Sequence, residues 1–366
     1  MSQNFSASGS SFLVELEQLV RTQSPSEDLA ALEKVMKVAQ EIAAKNLEVP
    51  AEIITENSRP VFWWGSKNPE IVLLAHLDTV WPIDSFLPLW EVNGDLISGP
   101  GIFDMKAGFL QALYAVKEIP NAYEKVALIA TSDEEIGSKS SRELIERVAR
   151  GAKAVLVLEA SLDGKVKVGR KGTSMYHITV HGRAAHAGLE PEKGINATVE
   201  IARIVGQLTA LEKREAGTTV VPTLMKSGTT TNTVPAMAEL DIDARSFLYS
   251  ELERVDQAVR AITAHHPEAG IEISGGINRP PLELSATKSL YEICERVAAA
   301  MGRSPVGSAS VGGASDGNFA AAAGAPTLDG LGAVGAGAHA RNEHILASSI
   351  PGQISLLAGL IKELCQ

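Results

Sequence analysis

IVLLAHLDTV, residues 71–80, runs from five apolar residues straight into a histidine and, two positions on, an aspartate. An unbroken apolar run this short suits a strand buried on both faces, as in a mainly parallel sheet. VALIATSDEEIGS (126–138) and AVLVLEAS (154–161) have the same form, each passing from apolar residues into acids. Stretches of helical spacing separate these runs, notably Met105 to Glu118 and Ser141 to Val148, and that alternation predicts an α/β layer fold. A doubly wound sheet collects its ligands in the crevice beyond the carboxyl ends of its strands. His76, Glu134, Glu135 and Glu159, far apart in sequence, are therefore expected to converge.

Two more strings supply residues of the same chemistry: Asp104 in GPGIFDMKAG (99–108) and His339 in GAGAHARNEH (335–344). Two histidines and three carboxylates (His76, Asp104, Glu135, Glu159, His339) are the right donors, in number and kind, for two borderline divalent ions sharing a bridge. Along a strand, positions two apart point the same way. A metal-ligating histidine usually donates its other ring N–H to a carboxylate, a role that Asp78 suits. Taken alone, the H-x-D pair reads first as an ordinary surface or capping arrangement. Asp104 alone fits a helix N-cap, and the company of the other strings is what favours a carboxylate bridging two cations.

Glu134 and Glu135 are adjacent acids after an apolar run, and they repel unless a cation or solvent relieves them. A two-metal hydrolase needs one carboxylate on metal and another to deprotonate the attacking water. Neighbouring positions project differently, so the pair can divide those roles; a solvated pair at a helix start is the alternative. His339 follows Gly335-Ala336-Gly337, where small residues permit close backbone approach. His177 alternates within a strand and suits packing, while His344 suits an exposed or helical position.

At 366 residues two domains are expected. With 45% hydrophobic and 21% charged residues the composition is ordinary and globular, and the net charge of −11 argues against a nucleic-acid partner. Cys294 and Cys365 are too few and too distant for a disulfide framework or a CxxC zinc site, and Cys294 falls on a periodic apolar face expected to be buried. MSQNFSASGSS (1–11) has neither a charged n-region nor an apolar h-region, and no apolar run reaches membrane-spanning length. A cytoplasmic protein without a membrane partner is the expectation.

Phe12, Leu13, Leu16, Leu19 and Val20 have helical spacing that TQSPS (22–26) interrupts, with Ser26 expected to cap the next helix and Glu27 and Asp28 in its first turn. After about Gly172 the character changes. TSMYHITVHG (173–182), a helix over Gly194 to Lys213, TTVVPTLMKSG (218–228), VPAMAELDIDARSF (234–247), a helix over Glu251 to His265 and GIEISGG (270–276) follow the β-α-β-β-α-β order of a ferredoxin-like module. Ser285 is expected to cap a helix returning to the first domain. The fold class expected is α/β, with a discontinuous metal-binding catalytic domain (1–172 and 282–366) and an inserted α+β domain (173–281).

Together the strings resemble the two-zinc exopeptidase family of glutamate carboxypeptidases, aminoacylases and succinyl-diaminopimelate desuccinylase, most of all the bacterial, folate-hydrolysing glutamate carboxypeptidase branch. AHLDTV, SGPGIFDMKAG, TSDEEIGS, HGRAAHAGLEPEKGINA, TNTVPAMAELDIDAR and the VGGASDGN to GAHARNE tail stand in family order over nearly the whole chain. The resemblance implies that His76, Glu135, Glu159 and His339 ligate two divalent ions bridged by Asp104, most simply zinc, with manganese or cobalt able to replace it. It implies Asp78 as the acid behind the first histidine and Glu134 as general base. It makes the inserted domain a lid and dimerisation domain, whose His186 enters the partner's active site in a homodimer. Asn232, Arg245 and Arg279 are implied to hold the substrate carboxylate or scissile oxygen, and Gly312 and Gly313 to line the substrate. In one departure, Ala107 stands where the family's D-x-K-G-G string has its first glycine, which puts local helix packing in question. The expected reaction is metal-dependent hydrolysis of an amide, releasing a C-terminal amino acid, glutamate first among candidates, from a small N-acyl or peptide conjugate with a free carboxylate. N-acyl amino acid deacylation, dipeptide cleavage, and non-catalytic metal or ligand binding on the same fold are the alternatives.

Overall fold

The computed structural model describes residues 7–366. It divides into two compact units, one comprising the chain up to Gly169, Leu284–Val311 and everything from Ser315, the other Arg170–Glu283 with Gly312–Ala314. The sequence reading put all of 282–366 with the first unit. Gly312–Ala314 group with the second because Arg245 Nη1 donates to the Gly312 carbonyl and Arg170 Nη1 to those of Gly313 and Ala314.

In the first unit, helices α1 (Ala7–Arg21) and α2 (Leu29–Asn46) precede strands β1 (Glu52–Glu56), β2 (Arg59–Gly65) and β3 (Ile71–His76). Short strands β4 (Glu91–Asn93) and β5 (Leu96–Ser98) follow, then α3 (Ala107–Lys117), β6 (Val126–Thr131), α4 (Arg142–Ala149), β7 (Ala154–Val157) and β8 (Val166–Arg170). The second unit carries β9 (Gly172–His181), α5 (Ala197–Thr209), β10 (Thr219–Ser227), β11 (Met237–Ser246), α6 (Tyr249–Arg260) and β12 (Gly270–Arg279). The chain returns through α7 (Leu284–Ala300), β13 (Ser308–Val311), α8 (Gly317–Ala322), β14 (Thr327–Leu328), β15 (Gly335–Ala336), β16 (His344–Leu346) and α9 (Ile350–Leu364).

The main sheet has the order β1-β2-β6-β3-β7-β14, parallel from β6 to β14 and antiparallel at β1 and β2. Every residue of β3, β6 and β7 is buried. Leu73, Ala75 and Leu128 face one apolar layer with α1, α2, α3, α7 and α9, while Val72, Leu74, Ala127 and Ile129 face another with α4 and α8. The three continuous apolar runs are explained by this two-sided burial. Register pairs His76 with Thr131 and Leu74 with Val157, so the acids beyond these strands leave the sheet at one edge. A second, four-stranded sheet (β15-β16-β5-β4) pairs His344 with Ser98, which sets the segments 99–104 and 337–343 side by side.

The inserted unit is an antiparallel sheet of order β10-β11-β9-β12 with α5 and α6 on one face. Tyr176, Ile178 and Val180 are buried beneath the helices while Met175 and His181 are exposed, and one-sided burial produces the alternation read in the sequence. Among the described residues, no helix is long and apolar enough to cross a membrane.

Three local expectations are corrected. Asp28, not Ser26, caps α2, accepting from the Ala31 N–H, because the Ser26 hydroxyl is engaged by Asp78. Ser285 lies inside α7, which already begins at Leu284. The helix expected to reach His265 ends at Arg260, because the carboxylate of buried Glu200 draws the main-chain N–H groups of His265 and His266 out of helical pairing. As for the departure at 107, the Ala107 methyl is fully buried at the start of α3. A Cβ on Gly108 would instead lie 2.0 Å from the Leu158 carbonyl oxygen. Close approach of helix to strand therefore falls on Gly108, and alanine is accommodated one residue earlier.

Candidate metal centre

His76 ends β3 fully buried, with Nδ1 3.0 Å from the Asp78 carbonyl oxygen and 3.4 Å from its carboxylate. The ring N–H expected to meet the Asp78 side chain thus goes first to its main chain. The Asp78 carboxylate accepts instead from the Ser26 hydroxyl (2.7 Å) and the main-chain N–H groups of Glu134 (3.3 Å) and Glu135 (3.1 Å). Burial opposes ionisation of Asp78, but hydrogen bonds from His76, Ser26 and Glu135 outweigh it and hold the acid below its ordinary range. Asp78 thereby fixes the turn carrying both glutamates.

Asp104 occupies a non-helical backbone position just before α3 rather than a regular N-cap. Its segment is shaped by Glu343, whose carboxylate accepts main-chain N–H groups from Gly101, Phe103 and Asp104 and the indole N–H of Trp81. Burial pushes the Glu343 carboxyl up against these bonds. Lys106, also wholly buried, caps the end of α1 by donating to the Leu19 and Thr22 carbonyls, and burial pushes its ammonium down to about 7. Sequence reasoning assigned no role to Glu343 or Lys106. The available signal was an acid four residues after His339 and a lysine flanked by apolar residues.

The remaining contacts form a chain through Asp104. One carboxylate oxygen lies 3.2 Å from His76 Nε2 and the other 3.4 Å from His339 Nε2. Glu159 Oε1 lies 3.7 Å from His76 Nε2, and Glu135 Oε2 lies 3.0 Å from His339 Nε2. The five residues thus fall into two histidine–glutamate pairs on opposite oxygens of one aspartate. His76, Asp104 and Glu135 offer donor atoms all within 4.8 Å of one another. Mixed nitrogen and oxygen donors at this separation fit divalent cations of the zinc type. Lys167 Nζ, 3.9 Å from Glu159, adds a fixed positive charge. His339 has φ +61°, a left-handed conformation costing of order 1–3 kcal/mol for a non-glycine residue, which aims its ring at Asp104 and Glu135.

The electrostatics reflect crowded carboxylates. Burial raises Glu135 to about 7 against its bond to His339, and hydrogen bonds to Asp104 and Glu135 raise His339 to about 10. Burial disfavours the charged form of His76, yet bonds to Asp104 and Asp78 lift it well above the ordinary histidine range. Burial likewise opposes ionisation of Asp104, and its bonds to His339 and His76 override that and hold it far down.

The other expected residues lie in the second unit or in the glycine segment grouped with it. His186 is exposed, its Nδ1 accepting from the main-chain N–H groups of Gly188 and Leu189. Arg245 places Nε and Nη2 on the two oxygens of Asp243. Arg279 is buried at the end of β12, and the main-chain carbonyl of Asn232 accepts from Ala187. A Cβ on Gly312 would meet nothing within 4 Å, so packing within the chain does not require glycine there. His344 lies in β16, where Nδ1 meets the Asn342 carbonyl, and His177 pairs with Asp241 at 2.7 Å on the sheet surface rather than packing in a core.

Comparison with known proteins shows what the chain is similar to. Residues 72–363 match the profile of peptidase family M20/M25/M40. The chain is 30% identical over 315 residues to carboxypeptidase G2 of a Pseudomonas species, covering 82% of this chain and 74% of that protein. It is 27% identical to the succinyl-diaminopimelate desuccinylase of Halorhodospira halophila, covering 82% and 84%. Among solved structures, aminopeptidase PepT of Bacillus cereus superposes with a TM-score of 0.77 at 22% identity, covering 98% of this chain and 99% of that one. The metallo-carboxypeptidase Sso-CP2 of Sulfolobus solfataricus gives 0.74 at 19%, covering 96% and 99%.

A cation taking His339 Nε2 must displace a proton held up to about 10, so apparent metal affinity should rise with pH across the neutral range, up to about tenfold per unit for each proton displaced. His339→Ala should lose at least one bound ion per chain while its circular dichroism stays unchanged. Metal titrations at several pH values, with elemental analysis of the variant, check both; a pH-independent affinity or undiminished metal content would contradict the arrangement.

Proposed function

The chain belongs to peptidase family M20/M25/M40, and on that footing we propose that it removes a C-terminal amino acid, glutamate first among candidates, from an N-acyl or peptide conjugate. The family hydrolyses peptide or acyl–amino acid bonds, and this enzyme does the same class of chemistry. The observation that carries the reading is the pairing of His76 with Glu159 and of His339 with Glu135 on opposite oxygens of Asp104, with Glu134 one residue from Glu135. Two divalent ions held there, zinc by preference, would polarise the scissile carbonyl and lower the pKa of the attacking water.

The chain's own groups do the rest. Glu134, its main-chain N–H anchored on Asp78, takes the proton of the attacking water and passes it to the leaving amine. Arg245, Arg279 and Asn232 hold the free carboxylate of the leaving residue or the scissile oxygen, with Gly312 and Gly313 lining the substrate. Arg245 suits that task because Asp243 already orients its planar fork, so little freedom is lost on binding. An internal peptide bond lacks that carboxylate, which accounts for an exopeptidase outcome. With Nδ1 of His186 accepting two main-chain N–H groups, its neutral ring carries the proton on Nε2, as a donor suited to an oxyanion. In this reading the protein is a cytoplasmic homodimer in which His186 serves the partner's site.

Product identification by mass spectrometry, with metal-reconstituted enzyme and a panel of N-acyl-glutamates, N-acetyl amino acids and dipeptides, tests the substrate. Release of glutamate from N-acyl-glutamates is expected; preference for another class would transfer the assignment to deacylation or dipeptide cleavage, and no hydrolysis at all would end it. Glu134→Gln should keep its metal and lose roughly 10²–10⁴ in turnover, whereas Glu135→Gln should lose metal; the reverse pattern would exchange their roles. Inactive His186→Ala chains mixed with inactive Glu134→Gln chains should regain part of the activity, because one site of the mixed dimer carries both native residues. Confirmed subunit exchange without any recovery would remove His186 from that role.

A further inference from the structure

The turn that carries Glu134 and Glu135 leaves β6 at Thr131 and enters α4 at Arg142. Its backbone is not one a chain holds by default. Gly137 has φ +93° and Ser138 φ +54°, two successive left-handed residues directly after the glutamates. Glycine adopts that region freely, whereas serine does so only where surrounding contacts impose it. Asp78 grips the middle of the turn, through the main-chain N–H groups of Glu134 and Glu135. Asp133 closes the turn on itself: its carbonyl accepts the Ser138 N–H and its carboxylate those of Ser140 and Ser141.

The two ends of the turn meet on one further side chain. Asp316, buried on the returning segment, accepts the Thr131 hydroxyl on one carboxylate oxygen (3.0 Å) and the Ser138 hydroxyl on the other. Thr131 and Ser138 are wholly buried as well, so bulk water does not weaken these bonds. An aspartate at the start of a helix would ordinarily cap it. Asp316 precedes α8, yet its side chain makes no capping bond there. Glu134 and Glu135 stand midway in sequence between Thr131 and Ser138. A carboxylate that bridges those two residues sets the span of the turn, and with it the direction in which both glutamates project.

We propose that Asp316 is the positioning residue of this turn: by bridging Thr131 and Ser138 it sets the aim of the general base Glu134 and of the metal ligand Glu135. The part concerning Glu134 rests on the amide-hydrolase reading above; the part concerning Glu135 is read out by metal binding alone.

The test compares Asp316→Ala with the native chain by circular dichroism, by titration with zinc, and by kinetics at saturating zinc on the best-cleaved amide of the panel above. The fold should persist. Zinc affinity for one ion and kcat should each fall by roughly 10–100-fold, the usual cost of losing a residue that orients metal ligands, with KM changed by no more than about twofold. Asp316→Asn should recover most of both, because either hydroxyl can turn to accept from the amide. In a Glu134→Gln background, Asp316→Ala should cost little further kcat, since the two act through one group. A lowered melting temperature with zinc affinity and kcat unchanged would leave Asp316 a purely structural residue and overturn the assignment. Losses in kcat that simply multiply in the double variant would overturn it too. Should Asp316→Ala not fold, Thr131→Val and Ser138→Gly, the latter suiting the left-handed backbone, carry the same measurements with the same expected outcomes. If the native chain cleaves no amide, the hydrolase reading fails, and the zinc titration still decides whether Asp316 positions Glu135.

Discussion

The carboxylate of Asp78, wholly buried, ties together three segments that are distant in sequence. It receives the Ser26 hydroxyl from the α1–α2 connection, the main-chain N–H groups of Glu134 and Glu135 beyond β6, and the His76 ring at the end of its own strand. A buried carboxylate is tolerable only when hydrogen bonds replace lost hydration. Here the ring and main-chain partners that meet this need also position groups that the proposed function uses. The histidine is oriented, the turn of the two glutamates is fixed, and the α1–α2 connection is attached to the same point.

A second carboxylate does the same for the other half of the centre. Glu343 gathers the main-chain N–H groups of Gly101, Phe103 and Asp104, while β16 pairing with β5 brings its segment alongside theirs. The outcome is a concentration of acids, with Asp104, Glu135 and Glu159 against His76 or His339 and Glu343 bound to the segment that carries Asp104. Lys106 and Lys167 offset part of that charge from fixed positions. Divalent cations held by the histidine–glutamate pairs would offset the rest, so in the proposed function the same groups would serve both electrostatic balance and catalysis.

In the proposed reaction the two units divide the chemistry: the metal donors and the general base come from the first. The second presents a helix-backed antiparallel sheet with an arginine whose fork is pre-set by Asp243. In the proposed reaction, bond cleavage belongs to the rigid sheet edge and recognition of the leaving carboxylate to the inserted unit. Such a division lets substrate preference change without disturbing the donors.

Much of this was legible in the amino-acid order. Continuous apolar runs announced strands buried on two faces, alternation announced the one-sided inserted sheet, and acids placed directly after apolar runs marked the sheet edge where His76, Glu135 and Glu159 emerge. Such features are local, because burial imposes its period on the chain residue by residue. What the sequence did not disclose was which partner each polar group takes. Ser26 reads as a helix cap, yet it binds Asp78 and leaves the cap to Asp28. Glu343 and Lys106 read as ordinary charges, yet both are buried and shape the segment around Asp104. The pairing of Asp316 with Thr131 and Ser138 has no linear signature at all. Hydrogen-bond partners of this kind arise only when distant segments are brought together, so tertiary structure alone decides them.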